Sequence, residues 1–270
     1  MAIVNRTPDS FFDRGATFAE EAALRAVDEA VAAGADIIDI GGVKAGPGVE
    51  VDLAEELRRT VPTVAAVRAR HPDVIISIDT WRAEVAREAV AAGADLLNDT
   101  WAGADPRLAR VAADTGAGLV CSHAGGLTPR TRPHRAAFDD IVGDVITTVT
   151  ALAHKALDAG VRRESILIDP AHDFGKNTRH SLELTRRLDA MVATGWPVLV
   201  ALSNKDFIGE SLDLPVAERL SGTLAATAVS AWLGARVFRA HQVRETRQVL
   251  DMVAAIRAER PPAVARRGLA

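Results

Sequence analysis

The chain has 270 residues, of which 48% are hydrophobic and 25% charged, and this composition fits a single large α/β domain with a well-filled core. A net charge of −4, the absence of tyrosine and the lack of a basic run interleaved with aromatic residues exclude a nucleic-acid footprint, so the expected ligand is a small molecule. A single cysteine, no apolar run near the roughly 20 residues of a membrane span and no signal-peptide pattern predict a cytoplasmic protein without membrane contact.

A glycine-alanine pair closes an alanine-rich stretch four times along the chain, and a short apolar run follows each pair. Glycine is the preferred left-handed residue just past a helix, and a short apolar run is typical of a buried parallel strand. Each pair therefore predicts a helix-to-strand joint, with the fifth residue after the glycine at the carboxyl end of a strand. The glycines are Gly34, Gly93, Gly116 and Gly234, and the strand-end residues are Asp39, Asn98, Cys121 and Arg239.

Buried strands are predicted in chain order at residues 2–4, 36–40, 74–78, 95–98, 118–122, 165–169, 197–202 and 236–240. Helix starts are predicted between them. Thr17 with Glu20 makes a capping box for the first helix, Thr80 precedes the third, and Asp105 followed by proline precedes the fourth. A long polar loop at 125–135 leads into a helix that ends near Ala159.

Eight alternations of strand and helix, joined by right-handed crossovers, predict an α/β fold of the (β/α)8 TIM barrel class in a single domain. A doubly wound open sheet is the alternative, but no glycine-rich dinucleotide-binding fingerprint follows the first strand. The barrel is expected over residues 1–258. Residues 259–270 contain two prolines and a basic pair and are expected to form a C-terminal tail.

Polar or ionisable groups follow every predicted strand. Because such groups are rarely buried without partners, their convergence in one barrel mouth indicates a binding site, with a structural polar network as the alternative. Asp39 could instead cap a loop, His123 could be a satisfied core histidine, and Cys121 is more typical of a buried structural thiol than of a nucleophile. The groups are Asn5, Asp39, Asp79, Asn98, His123, Asp169, Lys205, Arg239 and His241.

The mixture of donors and acceptors favours a flat heterocycle with several ring nitrogens and an exocyclic amine. The groups suited to hold such a ring are Asp79, Asn98, Asp169 and Lys205. Arg239 with His241, beside Asn5, could hold an anion such as a diphosphate. Neither the histidine spacing of metal hydrolases nor a Gly-x-Ser-x-Gly nucleophile elbow is present.

Short motifs at these strand ends resemble those of dihydropteroate synthase, a pterin-binding (β/α)8 enzyme, over nearly the whole chain. The motifs are Asn5-Arg6-Thr7-Pro8-Asp9-Ser10-Phe11, Ser77-Ile78-Asp79-Thr80, Leu97-Asn98-Asp99, Asp169-Pro170, Phe174-Gly175-Lys176, Ser203-Asn204-Lys205 and Arg239-Ala240-His241. The opening Thr-Pro-Asp-Ser-Phe points away from the corrinoid-linked pterin methyltransferases, which share the barrel. Within the family the chain is most similar to the divergent second paralogue of actinobacteria.

The resemblance implies a transfer reaction in which a pterin diphosphate loses pyrophosphate and the amine of p-aminobenzoate attacks the exposed methylene carbon. It implies that the pterin is held by Asp79, Asn98, Asp169 and Lys205. It further implies a diphosphate site made of Asn5, Arg239 and His241, with Mg²⁺ bound beside Asn5 as cofactor. A homodimer is the expected assembly by the same resemblance.

The second-substrate side departs from the family pattern. The family sequence Ser-Thr-Arg-Pro-Gly is replaced by Lys44-Ala45-Gly46-Pro47-Gly48, and Ser-Arg-Lys-Ser by Ser203-Asn204-Lys205-Asp206. Ala171 and His172 replace a glycine and an aromatic residue, and Asp173 replaces another glycine. Asp206 puts a negative charge where the aryl carboxylate would dock, and like charges about 4 Å apart repel by about 1 kcal/mol in water. The expected altered aryl-amine pocket consists of Lys44, Gly46, His172 and Asp206.

Three functions remain open from the sequence. The first is a divergent paralogue that binds a pterin or its diphosphate and condenses p-aminobenzoate weakly or not at all. The second is an authentic dihydropteroate synthase of folate biosynthesis in which Lys44 replaces the lost arginine as carboxylate anchor. The third is a non-catalytic pterin-binding or partner-regulating barrel, because the predicted helix at 220–233 is small and apolar on several faces and includes Val229 and Trp232. Whether the chain is an enzyme is thus left open.

Overall fold

The computed structural model describes residues 1–8, 15–131 and 137–267, and in this part of the chain eight strands alternate with helices. Asp9, Ser10 and Phe11 of the first motif, residues 132–136, which include the end of the predicted polar loop, and residues 268–270 of the predicted tail lie outside these ranges. The strands are β1 (Ala2–Asn5), β2 (Ile37–Gly41), β3 (Ile75–Asp79), β4 (Leu96–Asp99), β5 (Gly118–Ser122), β6 (Ile166–Asp169), β7 (Leu199–Val200) and β8 (Val237–Phe238).

The helices of the described residues surround these strands. They are α1 (Glu20–Ala32), α2 (Leu53–Arg70), α3 (Ala83–Ala91), α4 (Leu108–Thr115), α5 (Ile141–Ala159), α6 (Thr178–Arg186), α7 (Leu188–Val192), α8 (Asp206–Leu212), α9 (Leu220–Trp232) and α10 (Val243–Ile256), with short 3-10 turns at Arg163–Ser165 and Val216–Glu218. None of these helices combines the length and the apolar character needed to cross a membrane. The end of α5 at Ala159 agrees with the sequence prediction.

Parallel hydrogen bonding closes the strands into a barrel. β1 to β6 form one sheet in sequence order, and β7 pairs with β8. A bridge between Ile168 and Val198 joins β6 to the segment before β7, and a bridge between Ala2 and Ala240 joins β1 to the segment after β8. Next to the second bridge, the amide of Ile3 donates to the carbonyl of Ala240 at 3.2 Å. The predicted (β/α)8 fold is confirmed.

The four predicted helix-to-strand joints are present. Each glycine lies just past a helix with a positive φ, between 75° and 115°, and a strand follows. These glycines are Gly34, Gly93, Gly116 and Gly234. The joints set the barrel frame because they fix where each strand begins relative to the preceding helix.

An apolar layer inside the barrel separates its two ends. It consists of Leu96, Val120 and Leu199, with Met1, Leu167 and Val237 packed against them. Successive side chains on a strand alternate between faces, so Asn98, two residues after Leu96, and Asp169, two residues after Leu167, face the same interior on the carboxyl side of this layer. Polar residues are therefore gathered at one mouth.

Several strand boundaries differ from the sequence prediction. β2, β3 and β4 each begin and end one residue later than predicted, so Asp39 lies inside β2 and Asp79 is the last residue of β3. β7 and β8 contain only two residues each. Their pairing is short because the amides of Arg236 and Val237 both donate to the carbonyl of Val198, as in a bulge.

The first and third helices begin later than predicted, because the hydroxyls of the predicted caps donate to other segments. The Thr17 hydroxyl donates to the carbonyl of Asn5 at 2.7 Å, and α1 begins after Ala19 without a side-chain cap. The Thr80 hydroxyl donates to Glu56 at 2.6 Å, and α3 begins three residues later. Asp105 precedes α4 as predicted, and its Oδ1 accepts from the amide of Arg107 at 3.0 Å. Its Oδ2 also accepts from the first amide of α3, that of Ala83, at 3.1 Å.

Candidate functional site

A cavity of ≈110 Å³ opens at the carboxyl ends of the strands. Its wall contains all seven residues predicted to hold a pterin and a diphosphate, contributed by strands or loops from β1 to the segment after β8. They are Asn5, Asp79, Asn98, Asp169, Lys205, Arg239 and His241. The predicted convergence of polar strand ends therefore occurs in the described structure.

Of the four residues predicted to form an altered aryl-amine pocket, only Lys44 lines the cavity. A Cβ added at Gly46 would meet nothing nearer than the Lys44 side chain at 3.9 Å, so close packing does not require a glycine there. His172 is fully buried, with its Nε2 3.1 Å from the Thr185 hydroxyl. Asp206 points away from the cavity, with an 80% exposed side chain paired with Arg219 at 2.9 Å.

The placement of Asp206 corrects one expectation. A charge that is exposed and paired with Arg219 repels an anion in the cavity far less than a buried, unpaired charge would. Arg219 also donates to the carbonyl of Asn204 at 3.0 Å, and it thereby holds the loop after β7 in place. The expected repulsion of an aryl carboxylate by Asp206 thus has no direct geometric basis in the described structure.

Arg239 is held by two carboxylates at the centre of the mouth. Its Nε donates to Asp39 at 2.6 Å, and its Nη2 donates to Asp79 at 2.9 Å. Asp39 also accepts from the Ser77 hydroxyl at 2.5 Å and from the Asn98 amide at 3.2 Å. Asp39 is fully buried and joins three neighbouring strands to the arginine.

Sequence reasoning treated Asp39 as scaffold rather than as part of the site. The signal that identifies it is its place in the repeated joint, five residues after the glycine, which is the position that Asn98 and Arg239 occupy in their own copies. In-register pairing of Asp39 with Ser77 on β3 puts both on the interior face. Asp39 therefore organises the site although it does not line the cavity.

Burial perturbs the carboxyl groups of the mouth. Desolvation raises the pKa of Asp79 to about 7, against the opposing effect of the Arg239 charge, and the nearby Asp39 carboxylate adds to the rise. Burial also raises the pKa of Asp169, although the Ala171 amide, which donates to it at 2.7 Å, opposes this shift. Near neutral pH, Asp79 can thus present either a donor or an acceptor to a ligand.

Lys205 lies between a carbonyl and an aromatic ring. Its ammonium donates to the carbonyl of His172 and sits 4.6 Å from the centre of the Phe174 ring, which is part of the cavity wall. Burial lowers the pKa of Lys205. On the neighbouring side of the mouth, His241 Nδ1 is 2.9 Å from the Ser203 hydroxyl.

Besides Asp39, two further strand-end residues are not part of the cavity wall. His123 is buried with its Nε2 2.7 Å from Asp144, and burial lowers its pKa to about 4, so it is neutral at physiological pH. Cys121 is buried, and burial raises the pKa of its thiol to about 12. A thiol with so little thiolate at neutral pH is a poor nucleophile.

Comparison with known proteins decides the family. Residues 1–241 match the family described as "Pterin binding enzyme", which is most of the chain. The chain belongs to this pterin-binding enzyme family. The curated relatives confirm the predicted resemblance to dihydropteroate synthase and to a divergent paralogue of that enzyme.

Two curated relatives and one solved structure illustrate the similarity. The family member is 60% identical to "Inactive dihydropteroate synthase 2" of Mycobacterium leprae, an alignment that covers 100% of this chain and 94% of that protein. It is 37% identical to dihydropteroate synthase of Escherichia coli K12, over 94% of this chain and 90% of that protein. A Yersinia pestis dihydropteroate synthase solved with a sulfonamide drug superposes with a TM-score of 0.91 at 35% identity, over 96% and 94% of the two chains.

Proposed function

We propose that the cavity binds a pterin ring and that the chain condenses pterin diphosphate with p-aminobenzoate weakly or not at all. The observation that carries the proposal is the contrast within the site. The four predicted pterin groups line one cavity, whereas three of the four altered aryl-amine positions do not. The relatives named inactive, at 60% identity, support the second part of the proposal.

The hydrogen-bonding edge of a pterin matches the groups on the cavity wall. A pterin offers an exocyclic amine and ring N–H donors together with ring-nitrogen and carbonyl acceptors. Asp79 and Asp169 supply acceptors, Lys205 supplies donors, and Asn98 supplies both. Phe174 adds a flat apolar surface on the same wall.

The residues expected to bind the diphosphate offer less free positive charge than the resemblance implies. Arg239 and His241 would contact the anion, but the Arg239 charge already faces Asp39 and Asp79. No cluster of three or more His, Cys, Asp or Glu side chains suited to a metal occurs among the described residues. Asn5 would supply one oxygen to Mg²⁺, which accepts water and phosphate oxygens as its remaining ligands. When bound, the ion would neutralise charge on the diphosphate.

Lys44 supports the alternative of an authentic synthase. Of the four residues predicted to form the altered aryl-amine pocket it alone lies on the cavity wall, and an ammonium there would attract the carboxylate of an aryl amine. This alternative predicts that dihydropteroate forms from both substrates and that formation depends on Lys44. The variant Lys44→Gln would then raise the KM for p-aminobenzoate while leaving pterin binding unchanged.

We further propose a cytoplasmic homodimer. The lone reduced cysteine supports the location. The assembly is supported by an apolar face on α9 and α10, where Val229, Trp232, Met252 and Ile256 are each about half exposed. The buried side of α9 is instead polar, with Thr223, Thr227 and Ser230. A partner-regulating barrel would use the same face to bind a different protein. The oligomeric state of the purified protein distinguishes this alternative from the homodimer.

Calorimetric titration tests the proposed function. The purified chain is titrated with dihydropterin diphosphate, and then with p-aminobenzoate in the presence of pterin and pyrophosphate. We expect binding in the first titration and none in the second. Asp79→Asn should weaken pterin binding at least about tenfold, because it removes an acceptor from the ring site. Asp36→Asn, a distant exposed carboxylate, is the control. Robust growth of a dihydropteroate synthase deletion strain carrying this chain would contradict the proposal.

A further inference from the structure

Asp173 occupies a family glycine position while keeping a backbone conformation that favours glycine. Its φ is 68°, and Ala171, which also replaces a family glycine, has a φ of 49°. Residues with a Cβ adopt this left-handed region at an energetic cost, which is smaller for Asp and Asn than for most others. The contacts of the Asp173 side chain explain why this chain retains an aspartate there.

Helix α8 begins directly after Lys205, which occupies its N-cap position and makes no side-chain cap. An ammonium has no acceptor to offer the first amides of a helix. Asp173, on the loop after β6, supplies the acceptor instead. Its Oδ2 accepts from the amide of Phe207 at 3.2 Å, and its Oδ1 accepts from the Ser181 hydroxyl at 3.0 Å. The loop after β6 is thus joined to the helix that begins directly after Lys205.

A second contact joins the same two segments. The His172 ring stacks on the Phe207 ring with 5.6 Å between centroids and 27° between planes. The carbonyl of His172 accepts from the Lys205 ammonium. The His172 carbonyl thus holds the Lys205 ammonium, while the Asp173 cap and the ring stacking hold the start of the helix that follows Lys205.

The charges around Lys205 come from several elements. Burial lowers its pKa, and Asp173 opposes this lowering more strongly than Asp169 on β6 does. Asp206 on α8 also opposes the lowering, whereas Arg239 adds to it. Two further basic side chains lie nearby. Lys176 is buried in the same loop, with a pKa lowered to about 7, and His172 is neutral because burial puts its pKa well below the usual value.

We propose that Asp173 is a positioning residue for Lys205: the Asp173 carboxylate caps helix α8 from the neighbouring loop and thereby holds the Lys205 ammonium at the cavity wall. The effect of Asp173 on ligand affinity rests on the proposed pterin binding, whereas its effect on Lys205 is a property of the free protein. The replacement of a family glycine by Asp173 therefore preserves the pterin side of the site while the aryl-amine side diverges.

Lysine titration by NMR tests the proposal directly. The chain contains four lysines, so protein labelled with ¹³C at lysine Cε gives four signals that Lys→Arg variants assign. We expect the Lys205 midpoint to fall by about one pH unit in Asp173→Asn, which removes the charge but keeps an acceptor. We expect a smaller fall in Ser181→Ala, which keeps the charge but removes a contact that orients it.

Glu210→Gln is the matched control. Glu210 lies on the same helix, and its carboxylate accepts from the Thr178 hydroxyl of α6, so the variant removes one negative charge from α8 but keeps an acceptor. We expect an unchanged Lys205 midpoint. An unchanged midpoint in Asp173→Asn, or an equal fall in Glu210→Gln, overturns the proposal. Should Asp173→Asn not fold, Asp173→Gly provides the same comparison, because glycine suits a φ of 68°.

Pterin affinity measured against pH separates the two proposals. Wild-type protein that binds pterin should lose affinity as pH rises through the Lys205 midpoint. This loss should move to lower pH in Asp173→Asn and stay in place in Glu210→Gln, a difference that a purely structural role would not produce. Wild-type protein that binds no pterin contradicts the proposed function, and the lysine titration then decides the role of Asp173 by itself.

Discussion

Arg239 meets two carboxylates at the barrel mouth, and this pairing determines how much positive charge the site offers to an anion. The sequence predicted Arg239 as a diphosphate ligand, and it does line the cavity. Its Nε and Nη2 are directed at Asp39 and Asp79. An arginine compensated in this way attracts an anion less than an unpaired arginine would. At the scale of single residues, the site is therefore better arranged for a polar ring than for a diphosphate alone.

Removal of the Asp39 charge tests its organising role. We expect Asp39→Asn to reduce the free energy of unfolding by about 3 kcal/mol, because it leaves Arg239 with one carboxylate in a largely buried site. Urea denaturation measures the change. Asp36→Asn removes an exposed carboxylate that is paired with Arg247 at 3.2 Å, and should cost at most about 1 kcal/mol. Equal effects of the two substitutions would contradict the role assigned to Asp39.

The raised pKa of Asp79 predicts a pH dependence of stability. Its pKa is about 7 in the folded chain against the ordinary 3.8, so between these values the folded state binds more protons than the unfolded state. Stability contributed through Asp79 should therefore fall as pH rises from about 4 to about 7. As pH rises through this range, the unfolding free energy of the wild type should fall relative to that of Asp79→Asn. A constant difference would show that Asp79 titrates normally.

The helix-to-strand joints illustrate what local sequence specifies at the scale of elements. Gly116 and Gly118 lie in the same joint but are needed for different reasons. Gly116 has a φ of 75° and nothing within 4 Å of an added Cβ, so only its backbone conformation matters. Gly118 starts β5, and a Cβ there would lie 2.8 Å from the carbonyl oxygen of Ser165. The first requirement is visible in sequence, whereas the second arises only from the packing of β5 against its neighbours.

Substitutions at these two glycines should separate the two causes. Gly116→Asn should cost less than about 1 kcal/mol, because asparagine tolerates the left-handed conformation. Gly118→Ala should cost about 1–3 kcal/mol, because the methyl group overlaps backbone and the Leu96 side chain. Thermal and urea unfolding of the two variants measure the difference. The reverse order of stability would indicate that the packing of β5 relaxes easily.

Helix starts were predicted less well than strands, for a physical reason. The capping patterns at Thr17, Thr80 and Asp105 assumed that each side chain serves the helix that follows it. Asp105 accepts from the amide of Arg107 just before α4 and also from the first turn of α3, and Asp173 accepts from the first turn of α8 across a loop. A helix amide donates to any correctly placed acceptor, so sequence proximity alone does not decide which side chain provides the cap.

The face formed by α9 and α10 belongs to the scale of the whole molecule. Four large apolar side chains lie exposed on it, and the side of α9 that faces the barrel buries threonines and a serine. A helix with apolar residues outward and polar residues inward is expected where another surface covers it. This arrangement supports the proposed homodimer.

Charge on this face should separate the subunits. The double variant Val229→Asp with Trp232→Asp should shift the protein from dimer to monomer in size-exclusion chromatography with light scattering, because two carboxylates would be buried in the interface. Val264→Asp, an exposed valine in the C-terminal segment, is the control and should leave the mass unchanged. A wild-type protein that elutes as a clean monomer would contradict the homodimer.

The sequence by itself determined the barrel, the positions of its joints and the seven residues that meet at its mouth. The joints follow from local rules, because a left-handed glycine and a following apolar run place the end of a strand. Of the seven residues, Asn98 and Arg239 belong to such joints, and the other five were identified as polar residues that follow a predicted strand. The departures from the family motifs were also visible in sequence. The predicted division into a barrel over 1–258 and a tail over 259–270 stays a prediction.

Only the tertiary structure decided which charges face each other. It placed Asp39 beneath Arg239, turned Asp206 outward to Arg219 and set Asp173 against the start of α8. These pairings join residues that are 200, 13 and 34 positions apart. The energy of a charge depends on its solvation and on neighbours brought close by the fold, and neither quantity is encoded in the adjacent residues.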